Sequence, residues 1–277
     1  MLGKLLKYDL KDLLKSISVF YILSFIGAVL TRIFCSLTNT IIIEIIKQVC
    51  MGFMFSMLAS SLINTLMRNW VRFKQTLYGD ESYLTHTLPV TKKEIIISKL
   101  LLGFINMFIT FVVIIISLLI AFYTKENYTN IINMLDTLLV SININSNVFI
   151  VLIIIMLFLE IFAGLVSGYL GIILGFRKSN NKVGYSVLLG FIVYIISQLQ
   201  IVLSIFIVGL FNSDVMSIFK SNNISNLTII KPLIFIMMFI YILIILGISY
   251  TSRKELEKGV NVEEHLFFIN ILMYNII

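Results

Sequence analysis

One acidic side chain lies deep inside an apolar run of this chain: Glu160, within residues 148–176. A carboxyl at that depth is costly in hydrocarbon, and such residues mark substrate paths, proton relays or tight helix contacts. Glu160, Gly164, Gly168, Gly171 and Gly175 recur at spacings of four and three, which places them on one helix face. Small residues in that pattern let a second helix approach closely, here another helix of the chain or of a second subunit. Three uses of the carboxyl stay open. A protonated Glu160 hydrogen-bonds Gln198 or Gln200, which fall at a similar depth of the run 183–212; it serves as a proton or substrate site; or it bonds to backbone in an ordinary packing seam.

A second group of chemically active residues sits in the stretch RNWVRFKQTLYGDESYLTHTLPVTKKEIIISK, residues 68–99. Thr91 and Glu94, three apart and just ahead of an apolar run, make a capping box that starts a helix. Pro89 stops any helix from running through, and Gly79 with Asp80 supplies a turn or helix start. Tyr83, Leu84 and Leu88 are apolar side chains in what should be water, so something must cover them. The cover is either the membrane surface, with Trp70 and Tyr78 as interfacial anchors, or a protein partner.

Other reactive residues carry less. His86 and His265 have no partners at metal-ligand spacing, and two cysteines, Cys35 and Cys50, are too few for a disulfide framework or a four-ligand zinc site. Both cysteines are expected near the outer ends of neighbouring helices as unpaired apolar residues. Asn127, Asn223 and Asn226 head N-x-[ST] triplets, which asparagine abundance explains. No catalytic residue and no metal site emerges. No G-x-x-x-x-G-K-[ST] loop exists to cradle phosphates, so the chain alone does not hydrolyse ATP.

The elements that must position these residues follow from composition. Of 277 residues, 59% are hydrophobic and 13% charged, with mean hydropathy +1.04. Soluble domains run near 45–50% apolar and about 25% charged, so a water-soluble globule is excluded. Six apolar runs are long enough to span a bilayer as helices: 16–37, 48–67, 100–124, 148–176, 183–212 and 232–252. They are continuous rather than alternating, which excludes a β-barrel. The expected fold is an all-α integral membrane protein of six spans, residues 1–262, followed by an atypical apolar tail, 263–277.

Sixteen of the 21 Lys and Arg fall on one side of such a bundle, at the N-terminus, in 68–99, at 177–182 and at 253–258. The positive-inside bias therefore places both termini and the 68–99 stretch in the cytoplasm. The net charge of +7 reads as this topology signal and as attraction to anionic lipid, not as nucleic-acid binding. Ahead of the first run, Leu6, Leu10, Leu13, Leu14 and Ile17 recur opposite Lys4, Lys7, Lys11 and Lys15, an amphipathic interfacial helix rather than a cleaved signal. Outer connections look polar and modest.

The segment YGDESYLTHTLPVTKKEIIISKLL, residues 78–102, resembles the cytoplasmic loop of type-two ATP-binding-cassette (ABC) exporter permeases, in the six-span form of low-GC Gram-positive bacteria. The resemblance covers the organisation of residues 1–262; the tail departs from it. It implies that the loop between spans two and three docks on a separate ATPase subunit, with Tyr78, Gly79, Asp80, Glu81, Tyr83, Leu84, Leu88 and Pro89 at or near the contact. It also implies a second permease subunit and ATP with Mg used by the partner only. The cargo would be an amphiphile, antimicrobial peptide or drug leaving the bacterial cell membrane. The other class open to the sequence is a secondary transporter using Glu160 as its proton or substrate site. A lone carboxyl does not supply an intramembrane hydrolase.

Overall fold

The computed structural model describes residues 2–37, 40–87, 91–139, 144–212, 215–216 and 230–258. Within them the chain is helical throughout: α1 (Leu2–Cys35), α2 (Ile41–Tyr78), α3 (Ser82–Thr87), α4 (Lys92–Phe122), α5 (Lys125–Leu139), α6 (Ser146–Gly175), α7 (Lys182–Phe211) and α8 (Ile230–Glu257). Six of these, all but α3 and α5, are long and apolar enough to cross a membrane. Large apolar side chains such as Ile22, Phe108, Val187, Phe206 and Leu246 stand exposed along them. That much outward apolar surface is tenable only against lipid, and the chain is a multi-pass membrane protein.

The spans pack as two groups. α1, α2 and α4 contact one another, as do α6, α7 and α8, and between the groups α2 lies against α6 and α4 against α6 and α8. The main core fills the end where the basic residues gather. There Phe73 and Leu77 of α2, Ile95 and Ile96 of α4, Leu165 and Tyr169 of α6, and Leu256 of α8 are buried together. Phe73 and Tyr169 stack with ring centroids 4.3 Å apart.

Three local features differ from the expected layout. The amphipathic N-terminal helix and the first span are one unbroken helix, α1. Its apolar face is as read, with Leu13 and Ile17 buried and Lys7, Lys11 and Lys15 exposed, but that face packs on α4 beside Val113 and Ile109. The stretch 68–99 is shorter as a connection than expected. α2 continues to Tyr78 because nothing between Gly52 and Gly79 breaks a helix and the buried face simply extends through Asn69, Phe73, Thr76 and Leu77. α4 already begins at Lys92, so only 79–91 joins them. Finally, the connection between spans three and four holds the 15-residue amphipathic helix α5. It is too short and too charged to read as a span, and its polar residues tie back to α6 through Tyr128 and Asn147, 2.9 Å apart.

Candidate functional site

The corner at the basic end where α2 turns into α4 gathers charged side chains, and a largely apolar cleft between α2, α6 and α7 carries Glu160.

The corner is built on α2. Arg72 sits on its buried side and spreads its guanidinium over three carboxylates: Nε to Asp9 Oδ1 at 2.9 Å and NH1 to Glu81 Oε1 at 2.8 Å, with Asp12 at 3.6 Å. The second oxygen of Asp9 receives Lys99 Nζ at 2.5 Å. Asp9 and Lys99 are both buried, so helices α1, α2 and α4 and the start of the connection are held by one desolvated ion network. The connection's other end is fixed by the capping box. Glu94 N–H donates to Thr91 Oγ1 at 3.3 Å and Thr91 N–H donates to Glu94 Oε2 at 2.8 Å. These bonds from the Thr91 backbone and hydroxyl hold the Glu94 carboxyl below its usual range; its turn lies ahead of the apolar stretch that begins near residue 100. Lys92 Nζ donates to the Leu256 carbonyl at 3.1 Å, tying the same turn to α8.

The residues implied as docking contacts separate here into distinct environments. Tyr78 faces inward and stacks on Phe176, centroids 4.5 Å apart, so it belongs to the core and not to an outer surface. Glu81 is engaged by Arg72. Gly79 ends α2, its N–H donating to the Gln75 carbonyl at 3.1 Å. Asp80 is exposed, and Tyr83 is 76% exposed on α3. The backbone of Leu84 lies within α3. Leu88 and Pro89 lie outside the described residues, as do the tail 263–277 and His265. Trp70 is no interfacial anchor: its indole N–H donates to the Leu165 carbonyl of α6 at 2.9 Å.

Compared with protein-family models, curated proteins and solved structures, the chain matches none.

The cleft has a volume of about 630 Å³. Its floor is the glycine part of the small-residue face of α6, Gly164 and Gly168, and its walls are Glu160 of α6, Leu66, Trp70 and Lys74 of α2 and Gly190, Phe191 and Tyr194 of α7. The glycines divide by neighbour. A Cβ on Gly171 would strike the Gly190 backbone and one on Gly175 the Ser186 backbone, so this half of the face is the close α6–α7 crossing. A Cβ on Gly168 would strike the Trp70 indole, whereas one on Gly164 would meet the Tyr194 ring at 3.6 Å, an ordinary contact.

The expected hydrogen bond from Glu160 to Gln198 or Gln200 does not form. Depth fixes the level of a residue on its helix but not its azimuth. Gln198 turns toward Tyr194 and Tyr241, with its amide nitrogen buried and without a partner. Gln200 is exposed. Glu160 remains half-buried on the cleft wall, near the same two tyrosines.

Sequence reasoning missed Asp9, Arg72 and Lys99 as a unit. A signal was present: Asp9 falls four and eight residues before Leu13 and Ile17, on the buried face of an otherwise basic segment. Cys35 and Cys50 are both free thiols, half-buried. Among the described residues no group of three His, Cys, Asp or Glu side chains is placed to hold a metal.

Proposed function

We propose that this chain is the membrane permease subunit of an ATP-driven ABC exporter in a bacterial cytoplasmic membrane. A separate ATPase subunit docks on the connection between α2 and α4, uses ATP and Mg²⁺, and drives outward movement of an amphiphilic cargo. A second permease copy or homologue completes the assembly. The observation that carries this reading is mechanical. α3 presents Tyr83 outward and Asp80 is exposed just ahead of it, while Glu81, one residue before the helix, is locked to Arg72 and through it to Asp9 and Lys99. A push on α3 reaches Arg72 through the half-exposed Glu81 pair, and from Arg72 it is shared by α1, α2 and α4 through the buried Asp9–Lys99 pair, the part of the network that resists separation most. The likeness of residues 78–102 to exporter coupling loops points the same way.

The test is purification of the chain from its own membrane in mild detergent. An ATP-hydrolysing subunit carrying a G-x-x-x-x-G-K-[ST] loop should stay bound, and Tyr83→Asp should release it with the spans still folded. Retention of the ATPase by Tyr83→Asp overturns the docking assignment.

One observation favours the second reading, an ion-coupled transporter: Glu160 is a carboxyl on the wall of an open cleft at mid-bilayer depth. Vesicles containing this chain alone, given a proton gradient and no nucleotide, separate the two. Uphill solute movement there would establish the ion-coupled reading.

A further inference from the structure

We infer that the α2–α6–α7 cleft is a binding site for the cationic head of an amphiphile, with Glu160 as its anionic contact. This rests on the transport reading above and names its substrate class.

Four observations converge. First, the cleft is open along its length to the hydrocarbon. Its rims, Met67 and Val71 of α2 and Val187 and Phe191 of α7, are exposed while its floor is glycine. An apolar tail can thus stay in lipid while the head moves along the wall. Second, the volume of about 630 Å³ suits a drug-sized head or a single-chain amphiphile.

Third, the charges on the lining are split by position. Lys74 lies at the basic end, its Nζ 5.9 Å above the Phe176 ring. Glu160 is the fifteenth of the 30 residues of α6, so it sits at the middle of a helix about 45 Å long, which places it at the midplane when that helix is centred on a hydrocarbon layer about 30 Å thick. Among the described residues, no Lys, Arg or His other than Lys74 lines the cleft. A cation entering sideways from the hydrocarbon therefore meets Glu160 first, with Lys74 set apart at the basic end. Fourth, Tyr194 lines the wall near Glu160. An aromatic ring next to a carboxylate favours an ammonium over a neutral or anionic head. An ionised Glu160 alone in hydrocarbon is costly, and an incoming ammonium supplies the missing counter-charge.

The test uses Trp70, the only tryptophan in the chain, which lines the cleft. The purified full-length chain in nonionic detergent is titrated with 12-bromododecyltrimethylammonium, 12-bromododecanol and 12-bromododecanoate, with quenching of Trp70 emission as the readout. The expected order of apparent affinity is cation, then alcohol, then anion, with the cation at least tenfold tighter than the anion. In Glu160→Gln the cation should lose about tenfold while the alcohol is unchanged. The wild-type order stands by itself should that variant not fold. Equal quenching by cation and anion overturns the inference, and so does absence of quenching, as when a second copy fills the cleft. No ATPase or nucleotide is present, so failure here leaves the docking assignment standing, and release of the ATPase by Tyr83→Asp bears only on the latter.

Discussion

Lys99 of α4 and Asp9 of α1, 90 residues apart in sequence, meet as a buried ion pair at 2.5 Å, and Arg72 of α2 takes the other oxygen of the same carboxylate. One carboxylate thus answers two cations. Breaking a buried pair by removing one partner is worth about 3–5 kcal/mol, against about 0–1 kcal/mol for an exposed pair. Asp9→Asn should therefore destabilise more than Lys99→Met, since it leaves the buried Lys99 without a counter-charge while Arg72 keeps Glu81, whereas Lys99→Met leaves Asp9 still paired with Arg72. Thermal denaturation in detergent, followed by circular dichroism, should show both changes and that ranking.

Tyr83 and Tyr78, five residues apart, should respond oppositely. Tyr83→Asp leaves the melting temperature within error because the side chain touches little, yet abolishes ATPase binding. Tyr78→Ala removes the stack on Phe176 and should lose about 3–5 kcal/mol, as deletions of a buried ring do. A large melting shift for Tyr83→Asp would contradict the placement of α3 on the surface.

The α6 glycines should separate by neighbour. Gly171→Ala drives a methyl into the Gly190 backbone, where neither helix can yield, and should destabilise by about 1–3 kcal/mol. Gly164→Ala meets only the Tyr194 ring at 3.6 Å and should be near neutral. Melting of the two single variants in one detergent checks the contrast.

The first turn of α4 should fray on acidification. The folded state holds the Glu94 carboxyl below its usual range through Thr91. The stabilisation is therefore present above the unfolded carboxylate pKa and is lost as pH falls through the lower folded value. Amide hydrogen exchange at Glu94 and Ile95, corrected for intrinsic rates, should quicken in that window. In Glu94→Gln the protection should be pH-independent.

A helical membrane protein of six spans is legible in the amino-acid order alone, because hydrocarbon admits only backbones satisfied within each segment and about 20 apolar residues suffice to write that requirement locally. So are the capping box at Thr91 and Glu94, whose partners are three residues apart, and the small-residue face of α6, which period alone reveals. What lay beyond that order was azimuth and long-range pairing. Gln198 and Glu160 share a depth, but only the packed bundle turns Gln198 toward Tyr241 and leaves Glu160 on an open wall. Tyr78 and Tyr83 look alike in the chain, and only the position of Phe176, nearly a hundred residues on, makes one core and the other surface. Asp9, Arg72 and Lys99 come from three helices, and charges that far apart in sequence find each other only when the helices around them have set both register and rotation.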